Sequence, residues 1–271
     1  MITLLMSVYA GERPEFLSAA LNSLEQQTDQ PDEILLVKDG PISQELESVI
    51  KEYERRLGLR TISLPDNGGL ARALNAGLAA ARHPWIMRFD TDDLCLPHRV
   101  ARQRKMIESD TFDVFGSQII EFDDDPVVTT RLRNVPTQHS QILQFSRKRN
   151  PFNHMTVCYR KDLVLRCGGY PEIRFLEDYA LWIKMLVAGA QCANDAEPLV
   201  KARIGNGMIN RRGGLRYARS EIKLQAFMVR EGFKPFHLAV VDAATRLGVI
   251  LAPITLRKLI YNRFLRRTAK V

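Results

Sequence analysis

The chain has 271 residues, 45% hydrophobic and 26% charged, which suits one large folded domain, or a domain with an appendage, and excludes a disordered or disulfide-stapled chain. The scattered cysteines (Cys95, Cys158, Cys167, Cys192) and five histidines show neither CxxC pairing nor metal-ligand spacing, so they read as reduced thiols of a cytosolic protein and not as a zinc site. The net charge of +8 is uneven: residues 1–200 hold 23 Lys/Arg and 28 Asp/Glu, net −5, and residues 201–271 hold 16 and three, net +13. An acidic body with a basic tail points to an anionic partner, either membrane lipid or nucleic acid.

The opening Met1-Ile-Thr-Leu-Leu-Met has no basic n-region and is too short for a signal peptide. Residues 3–9 read as a first strand, followed by the loop Ala10-Gly-Glu-Arg. Pro14 suits the first turn of a helix, on which Phe16, Leu17, Ala20, Leu21 and Leu24 mark one face. Residues 33–37 form a second apolar run, ending in Lys38-Asp39-Gly40. Ile42, Leu46, Val49, Ile50 and Tyr53 mark a second amphipathic helix, and residues 60–64 a third strand. The turn Pro65-Asp-Asn-Gly-Gly69 precedes an Ala-rich helix over 70–82. Residues 85–89, Trp-Ile-Met-Arg-Phe, are the fourth strand. Such strand–helix alternation predicts a parallel sheet in an α/β domain, with the ends of strands one, two and four on one edge. Tyr9, Asp39 and Asp90–Asp93 would converge there.

That fourth strand runs into Asp90-Thr-Asp92-Asp93. Three carboxylates at the end of a core strand repel one another and call for a counter-charge. Ligands of open α/β sheets sit at this end, and Mg²⁺ or Mn²⁺ takes one or two carboxylates plus diphosphate oxygens. A metal and nucleotide-diphosphate site is one reading; a solvated turn capping the next helix is the other.

Beyond it, residues 96–108 read as a helix, 114–122 as a strand, 123–126 as a turn, 153–160 as a strand and 161–166 as a short helix. Glu177-Asp178 opens a helix with Leu181, Trp182, Met185 and Leu186 on its apolar face; capping alone would explain that acidic pair. Residues 199–204 read as a last strand and 216–232 as a helix. The apolar stretch 237–260 is interrupted by Asp242, Arg246, Pro253, Arg257 and Lys258, so it falls short of the about 20 nearly uncharged residues a spanning helix needs. It reads as two amphipathic helices, followed by the basic end 263–267, that lie on a membrane surface or pack on the body.

In these segments the chain resembles the family 2 glycosyltransferases, over roughly residues 2–205. Met6-Ser-Val-Tyr-Ala-Gly-Glu12 is similar to that family's opening Ser-Val-x-x-Pro-x-Tyr-Asn, and Val37-Lys-Asp39-Gly40 to its Val-Asp-Asp-Gly-Ser. Asn67-Gly-Gly-Leu-Ala-Arg72-Ala-Leu-Asn75-Ala-Gly77 resembles its Asn-x-Gly-x-x-x-Ala-Arg-Asn-x-Gly. Asp90-Thr-Asp92-Asp93 resembles its Asp-x-Asp-Asp, and Leu176-Glu177-Asp178-Tyr-Ala-Leu-Trp182 its Glu-Asp helix start. Five motifs in order make a specific match, nearest to transferases of bacterial capsular, exopolysaccharide and O-antigen synthesis. Departures lie in the base and ribose pocket: Lys38 stands for an Asp, Pro41 for a Ser, and the first motif lacks its Pro and Asn.

The resemblance implies a GT-A-type α/β fold with a mostly parallel central sheet flanked by helices. It implies a catalytic domain over 1–205 (nucleotide-sugar half about 1–122, acceptor half about 123–205) and a basic helical tail over 206–271. It implies a UDP-sugar donor, a lipid-linked or oligosaccharide acceptor, and Mn²⁺ or Mg²⁺. Ser7 and Tyr9 would line the uracil, with Glu12 in the same nucleotide site. Asp39 would accept from the uracil N3–H, and Arg72 would reach the uracil or the diphosphate. Asp90 would hold the ribose hydroxyls or the ion's water shell. Asp92 would ligate the ion, and Asp93 would support it or contact the sugar.

Asp178 would be the base that deprotonates the acceptor hydroxyl for one-step, inverting displacement. Glu177 would raise that base's proton affinity or orient the helix. His154 would line the acceptor side or be a hydrogen-bonded structural residue, and Arg211 and Arg212 would clamp a diphosphate or form a solvated basic loop. The expected location is the cytoplasm, peripheral on the inner face of the cytoplasmic membrane.

Three alternatives fit less well. A nucleotidyltransferase of the same fold needs a Gly- and Arg-rich loop after strand one, and Ala10-Gly-Glu-Arg-Pro carries an acid there. The tail mixes its charges with aliphatic residues and few aromatics, unlike a nucleic-acid module. An inactive sugar-nucleotide-binding homologue would not need both Asp92 and Asp178.

Overall fold

The computed structural model describes residues 1–204 and 213–253. Its first part is built by strand–helix alternation: β1 (Ile2–Val8), α1 (Pro14–Glu25), β2 (Glu33–Lys38), α2 (Gln44–Leu57), β3 (Arg60–Ser63), α3 (Leu70–Ala80) and β4 (Trp85–Arg88). Each helix carries the chain back so that the next strand runs parallel, in the order β3-β2-β1-β4. Ile2, Leu4, Met6 and Val8 of β1 share a core with Leu17, Leu21 and Leu24 of α1 and Leu46 and Ile50 of α2. Leu5, Leu35, Val37 and Ile86 point to the other face, packed with Ala73, Leu74 and Leu78 of α3. Both faces are covered, which is why these strands read as continuous apolar runs and not as alternating ones.

The second part comprises β5 (Leu94–Cys95), α4 (Arg99–Glu108), β6 (Val114–Phe122), β7 (Thr129–Arg133), α5 (His139–Ser146), a 3₁₀ turn (His154–Thr156), β8 (Cys158–Arg160), α6 (Lys161–Arg166), α7 (Glu177–Val187) and β9 (Cys192–Arg203). Here the sheet is mixed. β8 lies antiparallel between β4 and β6, β9 runs parallel to β6, and β5 and β7 are antiparallel additions. The strand expected over 153–160 is a turn followed by a three-residue strand, because the Thr156 hydroxyl and N–H both donate to the Asn153 carbonyl, each at 2.8 Å. β9 begins seven residues earlier than its apolar part, crossing two register shifts against β6 where Asn194, Asp195, Glu197 and Pro198 hide the strand pattern.

The tail is anchored to this body. α8 (Gly214–Arg230) sets Leu224, Phe227 and Met228 against Ile173, Leu176, Tyr179, Ala180 and Ile183 on and before α7. α9 (Phe236–Ile250) follows and is pinned by Lys234–Asp242 (2.9 Å) and Arg246–Glu221 (3.1 Å). It accounts for most of the first of two helices expected over 237–260; residues 254–260 and the basic end 263–267 lie outside the described residues. Among the described residues no helix is long and apolar enough to cross a membrane.

Candidate active site

Three loops meet at the carboxyl ends of β1, β2 and β4. The first, after β1, carries Ser7 (half-buried, paired across the sheet with Val37) and Tyr9, whose ring is 48% exposed. A Cβ on Gly11 would stand 2.5 Å from that ring, so the glycine gives Tyr9 its place. Glu12, in the same loop, accepts from the Arg13 N–H (2.8 Å) and from the Thr91 hydroxyl, which ties it to the Asp90–Asp93 loop.

The second loop follows β2. Asp39 is 3% exposed. Its two carboxylate oxygens accept from the N–H groups of Gly68 (2.8 Å) and Gly69 (2.9 Å) at the start of α3. Gly40 has φ +84°, and a Cβ there would lie 2.6 Å from the Asn67 nitrogen, so only glycine admits this approach. Arg72 forks onto Asp66 at 2.6 and 3.3 Å on the exposed rim. Asp39 and Arg72 therefore already have partners within the chain; a ligand would share the first and re-aim the second.

The third loop is the acidic one. Arg88, 1% exposed at the end of β4, pairs with Asp90 through one nitrogen and leaves Nε and Nη1 unpartnered. Asp93 is 2% exposed. Its Oδ1 accepts from the Arg203 N–H at 2.8 Å, and its Oδ2 is buried with no partner. Burial, then the charges of Asp92 and Asp90, push its carboxyl well above the usual carboxylate range.

Arg203, at the end of β9, holds this loop further. Its Nε donates to the Asp92 carbonyl (3.2 Å), and its guanidinium stands 3.9 Å from the Phe16 ring centroid and 4.6 Å from that of Phe122. Among the described residues no three His, Cys, Asp or Glu side chains gather as a metal cage. An ion that takes one or two carboxylates and completes its shell with phosphate oxygens is compatible with Asp92 beside the orphaned Asp93 Oδ2.

The other expected site residues lie at and below the start of α7. Asp178 Oδ2 accepts from Asn150 Nδ2 at 2.6 Å, and Oδ1 accepts from the Tyr179 N–H at 2.7 Å, so capping is part of its role. Glu177 is buried with Oε2 unpartnered; burial, then Asp178, raises its pKa to about 7. His154 hydrogen-bonds the Tyr170 hydroxyl (3.0 Å), which meets the Tyr159 hydroxyl (3.1 Å), with Trp182 closing the group. Burial and Arg88 hold the His154 pKa well below its ordinary value, so its ring is neutral. Arg88 acts electrostatically on Asp93 and on Glu177 alike, placing the acidic loop and the α7 start in one field.

Asn75 fastens α3 to the turn before α7, exchanging hydrogen bonds of 3.0 and 2.7 Å with the Tyr170 backbone. Arg211 and Arg212 lie outside the described residues. Arg88, Arg203 and Asn150 are the site residues that sequence reading passed over. Arg88 carried one signal, a charged residue inside an otherwise apolar strand. Arg203 and Asn150 carried none, since their importance is contact across the fold.

A parallel half-sheet gathering carboxylates at its strand ends, joined to a mixed half-sheet and a helix that starts with two further carboxylates, is an architecture of the GT-A type. The chain belongs to glycosyl transferase family 2, which residues 3–173 match.

It is 43% identical, over 98% of this chain and 99% of the other, to an uncharacterized glycosyltransferase of Haemophilus influenzae. It is 38% identical to the amylovoran biosynthesis glycosyltransferase AmsE of Erwinia amylovora (97% and 98%). It is 36% identical to the UDP-Gal:α-D-GlcNAc-diphosphoundecaprenol β-1,3-galactosyltransferase of Escherichia coli (98% and 96%). Among solved structures, S. aureus TarS 1–349 in complex with UDP-GlcNAc has the same fold, with TM-score 0.69, 16% identity, and 98% of this chain and 76% of that one covered. So does the mannosyltransferase PcManGT of Pyrobaculum calidifontis in complex with GDP-Man and Mn²⁺ (TM-score 0.65, 17%, 97% and 79%). The chain is thus a glycosyltransferase.

Proposed function

We propose that this glycosyltransferase moves a sugar from a UDP-sugar onto a hydroxyl of a lipid-linked saccharide, with Mn²⁺ or Mg²⁺, in bacterial surface-polysaccharide synthesis. The observation that carries the reading is the buried, unpartnered Asp93 Oδ2 beside Asp92 at the end of β4. The relative acting on a diphosphoundecaprenol-linked sugar, the amylovoran enzyme, and the neighbours holding UDP-GlcNAc and Mn²⁺ support it. When bound, the cation offsets the charge that develops on the departing diphosphate.

The chain's own residues do the rest. Ser7, Tyr9 and Glu12 border the base, and Asp39 accepts from it with lone pairs left over from Gly68 and Gly69. Asp90, steadied by Arg88, takes the ribose hydroxyls, and Arg72 swings from Asp66 towards the diphosphate. Asp92 holds the cation, and Asp93 supports it. Asp178, oriented by Asn150, takes the proton of the acceptor hydroxyl as its oxygen bonds to the anomeric carbon and the bond to UDP breaks. Attack on the face opposite UDP inverts that carbon. Glu177 and His154 shape the ground under the acceptor.

In this reading residues 1–205 hold the donor site and the base, and the basic tail rests on anionic lipid at the inner face of the cytoplasmic membrane. Calorimetric titration of UDP, with and without Mn²⁺, on wild type and Asp92→Asn tests it, with GDP and CMP as comparisons. UDP binding that needs both the cation and Asp92 is expected. Binding indifferent to both would overturn the metal assignment, and a preference for GDP would overturn the donor.

A further inference from the structure

Between α6 and α7 the chain turns through residues 171–176, and Phe175 sits in that turn at φ +70°. This left-handed backbone is unfavourable for a bulky side chain and free for glycine. Such conformations persist where the surrounding structure holds them, and they cluster at active sites and ligand clamps. The ring does not fill the core: it is 36% exposed, whereas its neighbours two before and one after, Ile173 and Leu176, are the buried anchors of the turn. It lies against Tyr217 of α8, ring centroids 5.7 Å apart and planes at 31°. The exposed Arg174 places its guanidinium 5.3 Å from the Phe175 centroid. Asp178 follows three residues later. A part-exposed aromatic pair with a cation over one of its rings therefore lies at the head of the helix that bears the proposed base.

Aromatic rings bury the apolar C–H face of a pyranose while its hydroxyls stay hydrogen-bonded at the rim. Arginine is the side chain that best matches phosphate oxygens. We propose that Phe175 and Tyr217, with Arg174, form the acceptor subsite: the rings stack the acceptor sugar, and Arg174 contacts the diphosphate that carries it. This rests on the sugar-transfer reading above, with Asp178 as base.

The probes are α-N-acetylglucosaminyl diphosphate bearing a short alkyl chain, and the alkyl glycoside of the same sugar without phosphate. Both are titrated into the full chain saturated with UDP and Mn²⁺. Phe175→Gly keeps the turn and removes the ring; Phe175→Trp keeps an aromatic face; Arg174→Gln removes the cation.

Phe175→Gly is expected to weaken both probes by about tenfold or more, Phe175→Trp to stay within about threefold, and Arg174→Gln to weaken only the diphosphate probe. The denaturation midpoint of Phe175→Gly should equal or exceed that of wild type, because glycine relaxes the backbone. Wild-type affinity in Phe175→Gly would overturn the subsite, as would failure of wild type to bind either probe while UDP and Mn²⁺ still bind. Failure of wild type to bind UDP with Mn²⁺ would instead bring down the underlying reading.

Discussion

Arg88 and Glu177 show how single residues set the electrostatics of this site. Arg88 is buried at a strand end with one carboxylate partner, and it lowers the proton affinity of Asp93 and Glu177. Glu177 is still held up to about 7, since its burial and the adjacent Asp178 outweigh that cation. Its folded pKa lies above the ordinary glutamate value of 4.5. Between those values the native state keeps a proton that the unfolded chain has lost. Stability contributed at this position therefore falls as pH rises through that window and levels off above about 7, by roughly 3 kcal/mol in all. Glu177→Gln removes the titration. Denaturant unfolding at pH 5 and pH 8 should show the variant gaining on wild type at the higher pH; an equal difference at both would refute the assignment.

At the scale of elements, α7 is the hinge between the site and the tail. Its inner face packs Leu181, Trp182 and Met185 into the core under α3, and its other side takes α8 through Leu224, Phe227 and Met228. The tail's first helix is thus part of the folded body. Leu224 is fully buried, so Leu224→Ala should cost about 2–5 kcal/mol of unfolding free energy. The change should appear in one cooperative transition seen by both circular dichroism and tryptophan fluorescence. A separate, earlier transition with the main one unmoved would mean that α8 folds independently. Elements formed by local periodicity, such as α1, α2 and β1, were legible in the sequence. β5 and β7 were not: β5 is two residues long and is fixed by the distant β9, and β7, Thr-Thr-Arg-Leu-Arg, is a polar hairpin return onto β6 with no apolar pattern of its own.

For the whole molecule, charge and apolar surface fall together at the tail. Ala239, Asp242, Arg246 and Ile250 of α9 turn towards the body, while Phe236, Val240, Val241 and Ala244 are exposed at helical spacing. Arg216, Arg219 and Lys223 are exposed on α8, and residues 254–271 carry six Lys/Arg and no acid. An apolar helix face beside basic charge fits an anionic bilayer surface. Full-length chain should co-sediment with phosphatidylglycerol-containing vesicles more than with phosphatidylcholine alone, less so as salt rises. Val240→Glu with Val241→Glu should weaken that by about tenfold without shifting the unfolding midpoint. Equal sedimentation of wild type with both lipids would refute membrane contact through this face.

The strand–helix order of the first half, the acidic loop after β4, the Glu-Asp start of α7 and the family were all readable along the chain, because each is written in adjacent residues as periodicity or a short motif. Folding supplied the rest. It made the second half of the sheet mixed, engaged Asp39 with the start of α3, bound Glu12 to Thr91, and brought Arg203 from 110 positions away onto Asp93. It also packed α8 on α7 and left the face of α9 open. The physical reason is the same throughout: these outcomes are set by burial and by which partner satisfies each polar group, and both are properties of segments that meet only when the chain has folded.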